Sequence, residues 1–290
     1  MHKTVLGLYG NDQGHWVGDG FPVRSLFSYS DFGKQLSPFL LLDYAGPHEF
    51  TPTQTRRGVG EHPHKGFETV TIVYDGEVEH RDSSGGGGVI GPGDVQWMTA
   101  GNGILHQEFH FAAYAGKGDP FRMVQLWVNL LAKDKGTPAS YQTITAADIP
   151  EVALPDQAGR LRVIAGEYES TKGPARIFSP LNVWDGVLHE GAQVTMPLPE
   201  GHNAAVICLE GELAVGDKEK AGSAKFVLLG TEGHSVPLRA GTETSFLVLT
   251  GQPLNEPIAG YGPFVMNTQD EIRAAIDEFR AGKFGGIPAA

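Results

Sequence analysis

Residues 61–76 read EHPHKGFETVTIVYDG, and residues 103–110 read GILHQEFH. Each stretch holds a pair at i, i+2 spacing, His62 with His64 and His106 with Glu108. On a β-strand, alternate side chains point to one face. Two strands that turn these pairs inward aim three imidazoles and one carboxylate at one point. Such a set suits a first-row transition metal that keeps positions open for water, substrate or dioxygen. One His-x-His alone reads as ordinary polar residues of a half-buried strand. Two pairs, each beside a glycine-containing turn signal, favour the metal site.

The surrounding chain reads as β structure. Phe67 to Tyr74 is rich in β-branched and aromatic residues, Asp75-Gly76 follows as a turn, and Glu77 to Arg81 is the expected return strand. Gly91-Pro92-Gly93-Asp94 is a turn before the strand Val95 to Met98, and Met123 to Leu131 is another apolar strand. The 40 glycines and 19 prolines show no period of three, which excludes collagen and leaves an all-β protein with many tight turns. Gly85 to Gly88 lacks the Lys-Ser/Thr that follows a phosphate loop, so it reads as a flexible loop.

A repeat is legible. Ile72 to Glu77 (IVYDGE) matches Ile207 to Glu212 (ICLEGE) at an offset of 135, and Gly93 to Gly101 matches Gly233 to Gly241 at an offset of 140. Two copies of one β domain explain this economically. At these offsets His62 and His64 fall on Pro197 and Pro199, and His106 and Glu108 fall on Phe246 and Val248. The ligand set is therefore expected only in the N-terminal copy. His189, His202 and His234 share no strand-face spacing and read as surface or loop residues. Pro138 to Pro155 reads as a linker or crossover, which puts the domains at 1–137 and 138–290. At the end, Ile272, Ala275, Ile276 and Phe279 have helical spacing. Thr268 and Glu271 form a capping box and Gly282 a stop, so a helix is expected at about 268–282.

Bulk properties narrow the function. A net charge of −12 argues against a direct nucleic-acid partner. Cys208 is the only cysteine and lies in an apolar run, so it reads as a buried, inert thiol. No apolar run has the length of a signal peptide or membrane span, so a cytoplasmic protein is expected.

His62-x-His64-x3-Glu68 resembles the first motif of the cupin superfamily, in which that glutamate is often a ligand; Glu68 and Glu108 thus compete for one role. The longer stretches His62 to Thr71, Gly91 to Gly101 and Gly103 to Glu108 resemble the pirin family, as do Glu271-Ile272-Arg273 and Gly282 to Gly285. Gln107 departs from the serine usual there, at a position that should point away from the metal. The resemblance implies a bicupin, two antiparallel β-barrels with a short C-terminal helix. It implies one divalent metal per chain on His62, His64, His106 and Glu108, with iron expected and nickel, copper, manganese, cobalt and zinc as alternatives. Glu68 would then orient a ligand imidazole or relay a proton.

By the same resemblance, the expected activity is that of a quercetin 2,3-dioxygenase acting on a small aromatic substrate and dioxygen. A flavonol would give up its 3-hydroxyl proton to a carboxylate base, and dioxygen would open the ring with loss of carbon monoxide. Phe67, Trp97, Met98 and Phe109 are the candidate cavity wall. The rival reading is a metal-containing regulatory protein that works through protein partners, as some eukaryotic pirins are regarded. A cupin sugar isomerase would want more polar groups near the metal. A monomer is expected.

Overall fold

The computed structural model describes residues 1–217 and 219–288, and strands dominate both halves. One compact unit comprises Gln13–Ser25, Phe39–Ala146 and the segment from Asn255 onward; the other comprises Met1–Asp12, Leu26–Pro38 and Ala147–Leu254. The division is therefore not a single cut at 137/138. Strand pairing is the reason: Val5–Gly10 forms the edge of the sheet containing Lys225–Leu229. At the other end, the helix Gln269–Arg280 buries Ile272 and Ala275 with Leu105, Phe264 and Phe284 of the first unit. Its capping box is formed, with the Thr268 hydroxyl accepting from the Glu271 N–H and the Glu271 carboxylate accepting from the Thr268 N–H.

In the first unit a seven-stranded sheet runs in the order Ser140–Ile144, Val95–Thr99, Phe67–Asp75, Asp119–Asn129, Phe39–Phe50, Phe21–Ser28, His15–Val17. A four-stranded sheet runs Gly58–His64, Ile104–His110, Val78–Asp82, Gly87–Ile90. Phe67–Asp75 is buried on both faces through Val73, so its middle, Thr69 to Val73, is β-branched at every position instead of alternating. The chain turns between His64 and Phe67 at Gly66, whose φ is 90° and whose added Cβ would stand 2.0 Å from the Val265 carbonyl oxygen. Only glycine fits there. The buried Lys135 ammonium donates to the carbonyls of Gly66 and Val265 and to Asn129 Oδ1, which fastens this turn in place.

The second unit repeats the strand order. Val5–Gly10, Lys225–Leu229, Asn203–Glu210, Thr244–Gly251, Leu181–Leu188, Gly159–Ala165 and Glu151–Ala153 form seven strands, and Gln193–Pro197, Ser235–Ala240, Glu212–Val215 and Glu219–Gly222 form four. Asn203–Glu210 is thus the counterpart of Phe67–Asp75, as the offset of 135 has it. The offset of 140 needs correction: the counterpart of Val95–Thr99 is Lys225–Leu229, and that of Ile104–His110 is Ser235–Ala240. The stretches alike at that offset are glycine-flanked turns that bound non-equivalent strands. By register, Met196 opposite Val236 corresponds to His62 opposite His106, and Leu238 opposite Val215 corresponds to Glu108 opposite His80. All four second-unit residues belong to one apolar core. Where the first barrel collects polar side chains, the second is packed with hydrocarbon. Among the described residues no helix is long and apolar enough to cross a membrane.

Candidate metal centre

The strands that carry the two pairs are antiparallel neighbours. His106 stands opposite His62 and Ile104 opposite His64, with a register shift between His106 and Glu108. The ring centroids are 4.1 Å apart for His62 and His106, 5.0 Å for His62 and His64, and 4.8 Å for His64 and His106. The candidate ligand atoms of these three histidines lie within 4.8 Å of one another. Glu108 joins His106 and His80 in a second group of the same spread, so His106 is common to both. His62 is half-buried, whereas His64, His80, His106 and Glu108 are buried.

Hydrogen bonding leaves the same nitrogen free on two imidazoles. His62 Nδ1 donates to the Gly60 carbonyl at 2.8 Å and His64 Nδ1 to the Pro263 carbonyl at 3.4 Å. A carbonyl only accepts, so each Nδ1 carries the proton and each Nε2 keeps its lone pair. His106 Nε2 is buried with no hydrogen-bond partner. An unpaired polar atom in that position costs about 1–3 kcal/mol, a cost that coordination to a metal removes. The donor set therefore fits a divalent transition metal. Protonation does not compete strongly: burial first, then the neighbouring His62, lower the His64 imidazole to about 3. Burial, followed by His62, His64 and His80, holds His106 well below its ordinary value. Glu108 receives one amide N–H on each oxygen, from Gln96 and Gln125, both at 3.1 Å, and retains lone pairs for a cation.

His80, Asp82, Gln96, Gln125 and Tyr141 complete the cluster, and the sequence reading did not single them out. His80 Nε2 lies 3.0 Å from Asp82 Oδ2, and the Tyr141 ring stacks on His80 at 4.7 Å. Burial opposes the charge on Asp82, but bonds from His80, Ser84 and Gly86 outweigh it and hold the carboxyl below its ordinary range. The available signal was the alternation Val78, His80, Asp82, whose buried parity marks an inward face.

Glu68 is not brought into the cluster. Residues directly opposite on paired strands share a face. Thr71 pairs with Gln96 and with Gln125, both bonded to Glu108, whereas Glu68 pairs with Thr99 and lies three residues from Thr71. Glu68 therefore points to the opposite face of the sheet, where it accepts a 2.8 Å bond from Thr99 Oγ1 and burial pushes its carboxyl up to about 7. The same alternation divides the candidate wall. Phe67 faces the site, 5.2 Å from the His64 ring, and Met98 shares the face of Gln96. Trp97 shares the face of Glu68, and Phe109 lies on the outer face of its strand beneath the Arg56 guanidinium, 3.7 Å from its ring. Trp127 takes a place in the wall, 4.3 Å from Phe67 and 5.4 Å from His64.

Comparison with known proteins agrees with this architecture. A Pseudomonas aeruginosa protein provisionally named quercetin 2,3-dioxygenase is 59% identical over 97% of this chain and 98% of its own length. The crystal structure of quercetin 2,3-dioxygenase from Acinetobacter baumannii superposes with a TM-score of 0.97 at 58% identity, covering 99% of this chain and all of that one. Human pirin is 35% identical over 98% of this chain and 94% of its own. Residues 20–128 match the pirin family model and residues 183–285 the pirin C-terminal cupin domain. Two cupin barrels, one lined with imidazoles and the other filled with hydrocarbon, thus make up a chain that belongs to the pirin family.

Proposed function

We propose that this chain is a metal-dependent dioxygenase that opens the ring of flavonol-like aromatics such as quercetin and releases carbon monoxide. The observation that carries the reading is the buried His106 Nε2, without a hydrogen-bond partner, beside two histidines whose Nδ1 protons are held by backbone carbonyls. His62, His64, His106 and Glu108 would hold one divalent metal, with iron expected. When bound, such a metal supplies a Lewis acid and a redox-active centre. The family relatives named for quercetin 2,3-dioxygenase support the choice of substrate class.

The chain's own residues supply the rest. The half-buried Trp127 stands beside His64, backed by the buried Phe67 at an interplanar angle of 31°, and offers aromatic surface to a planar ligand. Glu108 accepts the proton of the flavonol 3-hydroxyl, and Gln96 and Gln125 keep its carboxylate in place while it does so. Burial of His64, His106 and Glu108 keeps bulk water from the reacting atoms. The test is oxygen uptake across a flavonol panel, with protein reconstituted in turn with iron, nickel, copper, manganese, cobalt and zinc. The reading expects consumption that requires both metal and air. Absence of turnover from fully metallated protein would instead favour a metal-containing protein that acts through protein contacts.

A further inference from the structure

Asp82 is unusually well supplied with donors. Its Oδ1 accepts from the Ser84 N–H at 2.8 Å, the Ser84 hydroxyl at 2.6 Å and the Gly86 N–H at 3.0 Å. The glycine run 85–88 makes this possible: a Cβ on Gly86 would stand 2.5 Å from Asp82 Oδ2 and 2.7 Å from the Tyr141 Cβ. These bonds keep the carboxylate ionised, and an ionised carboxylate only accepts. His80 Nε2, 3.0 Å from Oδ2, must therefore carry a hydrogen.

The other side of His80 follows from that. Gln96 Oε1 accepts from the Tyr141 hydroxyl at 3.3 Å, which turns the amide nitrogen toward Glu108 Oε1 and His80 Nδ1, each 3.1 Å away. Glu108 and His80 Nδ1 both accept. His106 Nδ1 lies 3.5 Å from this accepting nitrogen, a long contact that is favourable only with the His106 proton on Nδ1. The lone pair is then left on Nε2, the buried atom without a partner. The stacked Tyr141 ring, 13° from the plane of His80, fixes that imidazole's orientation.

We propose that Asp82 and His80 are positioning residues that decide which nitrogen of His106 carries its proton, and so turn the Nε2 lone pair toward the metal. Through Gln96 the same network orients Glu108, so two ligands from one strand are set by one buried carboxylate. This rests on the reading of His106 as a ligand. It gives the glycine run a role that its lack of a phosphate-loop lysine had left open.

Two measurements test it on the full-length chain. Histidine-15N NMR of the metal-free protein reads ring tautomers directly, where the metal itself has no influence. The expected result is His80 protonated at Nε2 and His106 at Nδ1; His106 protonated at Nε2 overturns the proposal, whichever variants fold. Cobalt(II) titration, followed by its visible spectrum, then compares variants. His80→Leu and Asp82→Asn should weaken binding by about 10–100-fold, the usual effect of losing a partner of a metal-bound histidine. His80→Asn should recover most of the loss, because its Oδ1 stands where Nδ1 stood and can still accept. Equal affinity of wild type and His80→Leu would also overturn the proposal. Undiminished cobalt binding by His106→Ala would overturn the underlying site assignment instead.

Discussion

Protein that carries His62→Ala and His106→Ala together is expected to contain no metal, against one per chain in the wild type, and to remain folded. His106 lies opposite His62, and removing both takes away two of the three imidazoles that face one another. The remaining His64 and Glu108 do not together make a site for a tightly held divalent cation. Stability should survive, because the barrel's apolar core, around Phe21, Val73, Phe121 and Met123, does not include these histidines. Loss of the unpaired His106 Nε2 also removes a buried unsatisfied group. Elemental analysis and a thermal melt check both parts. Two metals per wild-type chain would contradict the expectation that the second barrel, with Met196, Val236 and Leu238 at the equivalent positions, binds none.

Glu108→Gln and Glu68→Gln should behave in opposite ways. At position 108 a neutral amide is a poorer ligand, and its NH2 must face the NH2 of either Gln96 or Gln125, which both now donate to the carboxylate. Metal affinity should fall by more than the about 10–100-fold that loss of an outer hydrogen-bond partner costs. Glu68→Gln should keep metal and turnover, since its side chain lies across the sheet. Its effect is on stability. Burial raises the Glu68 carboxyl from 4.5 to about 7, so the folded chain holds a proton that the unfolded chain releases between those values. The contribution of Glu68 to stability therefore falls as pH rises from about 4.5 to about 7, while the buried neutral His64 and His106 act in the opposite direction. Glu68→Gln should remove that contribution alone, so in urea unfolding the variant should gain about 3 kcal/mol relative to wild type between pH 5 and pH 8. Loss of metal from Glu68→Gln with retention in Glu108→Gln would mean that the ligand roles are reversed.

The contrast between these two glutamates shows what the sequence could convey. The pairs His62/His64 and His106/Glu108 were legible because each lies within one strand, where period two holds. Counting four residues on from His64 would put Glu68 on the same face. The count crosses Gly66, where a φ of 90° ends one strand before another begins at Phe67, and parity does not pass through a turn. His80 and Asp82 carry the alternation in full view, but their meaning depends on Gln96, Gln125 and Tyr141. These come from three other strands and form no motif. The terminal helix was legible down to its capping box because its signals are local. That it packs with Leu105 was not, since no local pattern encodes a partner so distant in the chain.

The most direct test of the central claim is carbon monoxide in the headspace above quercetin in air, with iron-loaded wild type, metal-free wild type and His62→Ala run side by side. The site described here predicts carbon monoxide from the first and none from the other two. Equal release from all three would show that flavonol autoxidation, and not the cluster of His62, His64, His106 and Glu108, produces it.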